Sequence, residues 1–362
     1  MTRTRVMGKE VAISSASLRR YIAEIVGASG SNDEEAAIVA DHLVEANLVG
    51  HDSHGVIRVA KYLEWVADGL LVVNRHAQIV KDHGALVVVD GGFGYGQVIG
   101  KEAMEIAAER VRRCGMAAVA IRNSGHLGRI GAWPEQLAAA GFVSVHYVNT
   151  SGFGILVAPH GGSDRRLSAN PIAAGVPVAG RAPVVLDIAT SSTAEGKIQV
   201  ARNKGDSIPQ GYLIDGKGRP TIEPATFYAD PPGAILPFGG YKGSGLSFFC
   251  EVLAGSLTGG GSSHPSNPTA KRLVNNMLSL AFAPAAFGDS SAFVADIRRL
   301  ITWIKASPPA TRGGEVLLPG ELELRTRENR QGSGILLDAE TRRQLVNAGM
   351  CYGVSAPPEF GG

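Results

Sequence analysis

Between residues 77 and 282 the chain alternates short β-rich runs with stretches of helical spacing, and this order constrains the fold most. The runs fall at residues 77–81, 86–90, 116–121, 143–148, 172–177, 184–188 and 277–282. Each is apolar and shorter than an ordinary helix. His83-Gly84 lies between the first two, which predicts a hairpin. Helical spacing covers residues 97–113, 133–140, 193–203 and 243–257. Upstream, Leu18, Ile22 and Ile25 share one helical face. Asn32 opens a second helix, with Glu35 in a capping-box-like position. Val56, Val59, Leu63 and Val66 mark a third helix, directly after His54. Downstream, residues 289–306 and 339–348 are helical. Domain termini often lie close together, so the two helical ends are expected to meet.

At 362 residues the chain suggests two or three units sharing cores. Its 44% apolar and 19% charged residues are ordinary for a globular protein. A net charge of +2 with both signs interspersed leaves no basic stripe for nucleic acid. Cys114, Cys250 and Cys351 are odd in number and far apart, which argues against a disulfide framework and a cysteine zinc site. No apolar run approaches ~18 residues, and residues 1–10 lack an apolar signal region. The expectation is no transmembrane helix and a cytoplasmic location. Residues 264–268 are the best candidate for an exposed loop.

The candidate chemistry gathers at strand ends. The run at 116–121 leads into Asn123-Ser124-Gly125-His126-Leu127-Gly128-Arg129-Ile130-Gly131, and a helix leads out. A histidine in such a loop is placed where scaffolds put reactive groups, and the glycines let a ligand approach the backbone. The next helix N-terminus can meet an anion. A plain turn would carry the same glycines.

Several familiar sites are absent. Gly91-Gly92-Phe93-Gly94-Tyr95-Gly96 follows a strand-like run, but Ile99 stands where a dinucleotide fingerprint needs Gly or Ala. The next strand also ends in Arg122-Asn123 without a ribose-binding acid. It reads as a hairpin-to-helix connection. Gly100-Lys101 and Gly196-Lys197 lack the rest of a P-loop, and no Gly-x-Ser-x-Gly elbow occurs. His51, Asp52 and His54 could start a metal site, yet no His-Glu-x-x-His or other paired histidines complete one, so no metal is expected.

Ser53-His54-Gly55-x-x-Arg58 is more informative. At the start of a helix His54 and Arg58, four apart, would share a face. Arginine offers a planar fork for a carboxylate, and histidine can bond or protonate the adjacent oxygen. Together they suit a 2-oxo or 2-hydroxy acid; a surface histidine and a solvated arginine would show the same spacing. Asp187 ends the run at 184–188. It could hold a histidine tautomer or a cofactor hydroxyl, or cap the helix after Thr190-Ser191-Ser192. Lys242, in a glycine loop before a helix, could meet a phosphate or carboxylate, or remain solvated.

Taken together, His51-Asp52-Ser53-His54-Gly55, Asn123-Ser124-x-His126-x-Gly128, Ala169-Asn170-Pro171, Asp187-Ile188-Ala189-Thr190-Ser191, Gly196-Lys197 and Lys242-Gly243-x-Gly245-Leu246 resemble the malate/L-lactate dehydrogenase family of nicotinamide-dependent oxidoreductases. The likeness runs from about Leu18 to Met350. It implies an α/β fold with a central mixed sheet of non-Rossmann type that binds the cofactor, and a helical domain built from both chain ends. The boundaries expected are 1–75 and 285–362 for the helical domain and 76–284 for the cofactor domain. It also implies a homodimer, a small-molecule 2-hydroxy or 2-oxo acid substrate, and NAD or NADP. His126 matches the proton donor or acceptor of the family, and His54 a position lining nicotinamide and substrate. Ser53, Arg58 and Asp187 complete the expected catalytic set. Matching cofactor contacts are Gly128, Arg129, Ile130, Val185, Leu186, Asp187, Ile188, Ala189, Tyr241, Lys242, Asn275, Gly320, Glu321, Leu322 and Glu323. Tyr241 and Leu322 stand where close relatives carry histidine and tryptophan. Related enzymes with Ser-His-Gly-x-x-Arg reduce cyclic imino acids such as Δ1-piperideine-2-carboxylate with NADPH, which is the alternative activity. A non-catalytic binding protein is a further alternative, opposed by the joint presence of His54, Arg58, His126 and Asp187.

Overall fold

The computed structural model describes residues 10–267 and 272–360. Residues 1–9, and Pro268 at the end of the expected exposed loop, lie outside the described residues; His264, Pro265 and Ser266 of that loop are exposed. The chain divides into two compact units. One runs to His76 and resumes at Gly320; the other spans Ala77–Pro319.

The first unit is built from both chain ends. Helices Ser15–Ala28, Asp33–Leu48, Val59–Ala67 and Ala339–Cys351 bury their apolar stripes, with Leu18, Ile22, Ile25, Leu43 and Val44 fully inside, whereas the polar helix Glu321–Ser333 buries no residue. Strands Val11–Ile13 and Ile335–Leu337 pair antiparallel and tie the ends to each other. Asn32 caps its helix by accepting from the Glu35 N–H at 2.8 Å. The reciprocal half of a capping box is absent. Glu35 instead accepts from Ser31 Oγ and the Asn74 N–H, while the Asn32 N–H goes to Asn74 Oδ1.

The second unit holds a seven-stranded sheet in the order Gln78–His83, Leu86–Asp90, Met116–Ser124, Leu273–Phe282, Val143–Gly152, Ile172–Val176, Val184–Ile188. The first two strands form the expected hairpin. Only Leu86–Asp90 and Met116–Ser124 run parallel, joined by helix Gly96–Cys114. The sheet is therefore mixed, unlike the parallel sheet of a Rossmann domain. Ile99, Met104, Val119, Ile121, Trp133 and Met277 fill the core between this sheet and helices Gly96–Cys114 and Ala132–Ala139. A small sheet of Leu213–Ile214, Pro220–Thr221 and Ala234–Ile235 has its own core around Val157, Ile198 and Phe227.

Three local expectations change. The helix after His54 begins only at Val59, because residues 52–54 and 56–58 form separate 3-10 turns. The helix expected at 243–257 starts at Tyr241 and widens into π-helical turns over Glu251–Ser256. Residues 285–319, expected in the helical domain, fall in the second unit. Arg298 donates to the Ala179 carbonyl and the Val185 N–H donates to that of Pro319, which ties this segment to the sheet edge.

Candidate active site

His126 owes its position to an irregularity in the sheet. Arg122 and Asn123 together oppose Asn276, a β-bulge at the end of Met116–Ser124. Bulges bend a strand and re-aim the residues beyond them. Asn123 takes the left-handed conformation, φ 53°, which asparagine tolerates better than most residues. Its N–H donates to Asn276 Oδ1 at 3.0 Å, and its side chain donates to Asp90 Oδ2 at 3.0 Å. Beyond it, the Leu127 N–H donates to Asn275 Oδ1 at 2.9 Å. His126 sits half-buried between these two fixed amides.

The glycine loop at 91–96 serves this loop. The Gly125 N–H donates to the Gly94 carbonyl at 2.9 Å, and the Phe93 N–H to that of Asn123 at 2.7 Å. A Cβ on Gly96 would stand 2.3 Å from the His126 carbonyl oxygen. Gly96 is thus explained by backbone packing against the histidine loop.

Asp187 lies on the edge strand Val184–Ile188, and its Oδ2 accepts from the Gly131 N–H at 2.7 Å. It therefore anchors the start of helix Ala132–Ala139. The helix after Thr190 begins at Glu195 without a side-chain cap. Arg129 is 2% exposed, and Glu135 binds its guanidinium through both oxygens. Of the expected cofactor contacts here, Arg129 has its guanidinium engaged by Glu135. Asn275 is similarly engaged, donating to Thr150 Oγ1 at 2.9 Å while accepting from Leu127.

Tyr241 and Lys242 open helix Tyr241–Cys250, and both are exposed. Gly240, φ 62°, turns the chain into it. The Tyr241 ring meets His160 edge-on at 6.3 Å. The Lys242 ammonium makes no hydrogen bond or ion pair among the described residues. A cavity of about 600 Å³ beside this turn is lined by His160, Ser192, Tyr212, Phe238, Gly239 and Gly240.

In the first unit, the buried Asn47 side chain organises residues 51–58. It accepts from the Val56 N–H at 2.9 Å and donates to Asp52 at 2.6 Å. A Cβ on Gly55 would lie 2.1 Å from Asn47 Oδ1, so only glycine fits. Ser53 Oγ lies 3.0 Å from His54 Nδ1, and Arg58 Nε donates to the Ser53 carbonyl at 2.6 Å. Ser53, His54 and Arg58 are thus brought together by this loop-back bond, in place of a shared helical face. The two Nη groups of Arg58 hold no partner among the described residues. His51 pairs with Glu323 at 3.3 Å, and Asp52 with Arg330 at 2.7 Å. The expected contacts at 320–323 stand at the start of helix Glu321–Ser333, where Gly320 has φ 88° and Leu322 is 60% exposed. Nothing local in the sequence marks Glu135 or Glu251, and the only signal at Asn149 and Asn276 is that each borders an apolar run, at 143–148 and 277–282.

The sequence pattern of the malate/L-lactate dehydrogenase family matches residues 13–346. Hydroxycarboxylate dehydrogenase B of Escherichia coli is 42% identical over 341 residues, covering 93% of each chain. A solved E. coli structure of the malate/lactate dehydrogenase type superposes with TM-score 0.90 at 41% identity, covering 97% of both chains. The delta1-piperideine-2-carboxylate reductase from Pseudomonas syringae pvar. tomato superposes with TM-score 0.82 at 30% identity, covering 93% of this chain and 99% of that one.

Proposed function

This chain belongs to the malate/L-lactate dehydrogenase family, oxidoreductases of hydroxy acids, and from that premise we propose that it moves a hydride between a nicotinamide cofactor, NAD or NADP, and C2 of a 2-hydroxy or 2-oxo acid. The observation that carries the substrate class is Arg58. Its Nε is anchored on the Ser53 carbonyl at 2.6 Å, which leaves both Nη groups to grip a carboxylate side by side. Ser53 and His54 then meet the C2 oxygen.

The donor set suits a dinucleotide. Lys242 brings an exposed cation to the first turn of a helix, where the helix dipole also favours a phosphate. The backbone of Gly128, Arg129 and Ile130, the strand segment Val185, Leu186, Asp187, Ile188 and Ala189, Tyr241, and residues 320–323 are the further contacts we assign, with the second unit as the main cofactor-binding part. When bound, the nicotinamide supplies or receives the hydride. In oxidation an imidazole nitrogen of His126 takes the hydroxyl proton; in reduction it returns it. Asp187 and Asn275 hold the backbone on the far side of His126 and so orient it.

The alternative substrate is a cyclic imino acid, in which C=N replaces C=O and the carboxylate anchor stays the same. It is favoured by the likeness to the piperideine-carboxylate reductase. We also propose a homodimer. Helix Ser290–Lys305 has no buried residue, with Leu300 50% and Trp303 77% exposed, and light scattering would give its mass.

A panel of 2-oxo acids and cyclic imines, run with NADH and NADPH, tests the reading. Turnover of at least one substrate is expected, and His126→Ala should lower kcat by roughly 10²-fold or more with little change in cofactor affinity. Near-normal turnover in that variant would refute the acid–base assignment.

A further inference from the structure

Glu251 is 6% exposed, and no lysine, arginine or histidine pairs with it among the described residues. Its Oε1 accepts from Asn170 Nδ2 at 2.7 Å, and its Oε2 from Asn149 Nδ2 at 3.0 Å and the Ser263 N–H at 2.9 Å. The relay continues away from the carboxylate. Asn149 Oδ1 accepts from Asn276 Nδ2 at 2.9 Å, and Asn276 Oδ1 accepts from the Asn123 N–H at 3.0 Å.

This relay has a polarity. A carboxylate only accepts and a backbone N–H only donates, whereas an asparagine can turn either way. With Glu251 at one end, the NH₂ of Asn149 must face it. The oxygen of Asn149 then faces Asn276, whose own oxygen is left pointing at Asn123. The space is shaped for these amides: a Cβ on Gly255 would lie 2.6 Å from Asn149 Nδ2, and one on Gly260 1.9 Å from Asn276 Oδ1. Glu251 also opens the π-helical turns at 251–256, a form that recurs at functional sites.

We infer that Glu251 is a positioning residue for the reaction: through Asn149 and Asn276 it holds an acceptor at the Asn123 N–H and so sets the loop that carries His126. Asn275 holds the other side of that loop at Leu127. The inference rests on His126 being the acid–base group. In Glu251→Gln the new NH₂ faces a donor whichever way the amide turns, so Asn149 loses its charged acceptor and the relay is left with the Gly261 carbonyl, which accepts from Asn149 Nδ2 at 3.1 Å and Asn276 Nδ2 at 3.4 Å, as a weaker guide to both amides.

The experiment compares wild type, Glu251→Gln, His126→Ala and the double variant, as full-length protein, with pyruvate and oxaloacetate and either nicotinamide cofactor. Glu251→Gln should lower kcat by roughly 10- to 100-fold, the scale of a small misplacement of a catalytic group. KM and the cofactor Kd should change by less than about twofold, as expected when only transition-state interactions are lost. In the His126→Ala background the same substitution should cost little more, because a positioning residue has nothing left to position. An equal loss in both backgrounds overturns the inference and leaves the acid–base reading standing. Normal turnover in His126→Ala overturns that reading itself, and the inference with it. Should Glu251→Gln fail to fold, Asn276→Ser removes the same acceptor. Faster amide exchange at Asn123 with reduced kcat is then expected, and wild-type exchange with wild-type kcat overturns the proposal.

Discussion

His146 offers a stability test that does not depend on knowing the substrate. It is fully buried on strand Val143–Gly152, opposite Ser279, with its ring nitrogens 2.8 Å from Ser279 Oγ and 3.0 Å from Ser144 Oγ. Desolvation pushes its pKa from 6.5 down to about 3. The folded protein therefore keeps a neutral imidazole where the unfolded chain binds a proton. Stability from this group is complete above the unfolded pKa and is lost as pH falls toward the folded one. The full loss, at about 1.4 kcal/mol per unit, is about 5 kcal/mol by pH ~3. Between about pH 7 and about pH 5 only the unfolded chain titrates, and the loss is about 2 kcal/mol. His146→Gln removes the titration and keeps an amide for the two serines. Urea unfolding at both pH values should show the wild type losing about 2 kcal/mol more than the variant. Parallel losses in the two proteins, or an imidazole NMR signal titrating near 6.5 in the fold, would refute the reasoning.

Three further outcomes concern the site. Arg58→Met should lose roughly 30-fold or more in kcat/KM for every 2-oxo acid, with NADH binding nearly unchanged and Arg58→Lys recovering only part; steady-state kinetics and fluorescence titration check both. Gly55→Ala should displace Asn47 from the Val56 N–H and Asp52, costing about 1–3 kcal/mol in urea unfolding and raising KM for the acid. Activity should survive exhaustive dialysis against EDTA, since His51 and Asp52 bind Glu323 and Arg330; loss restored by zinc would show otherwise.

The strands, most helices, the family and the loops that carry His54, Arg58 and His126 are legible in the amino-acid sequence alone. Those are local properties: alternation and helical spacing report which face of a segment is apolar, and short motifs report backbone that must turn. Tertiary structure decided the rest. Strand Leu273–Phe282 inserts between Met116–Ser124 and Val143–Gly152, so Asn275 and Asn276 reach a loop some 150 residues earlier in the chain. The sequence does not show that the Arg129 guanidinium is buried on Glu135. The spacing of His54 and Arg58 predicts one helical face, but the chain turns at Gly55, packed against the Asn47 side chain, between two 3-10 turns. By spacing, Glu251 is one more residue of the helix expected at 243–257. A buried polar group must find a partner, but which partner it finds depends on segments distant in sequence and close in space, and no local periodicity records that.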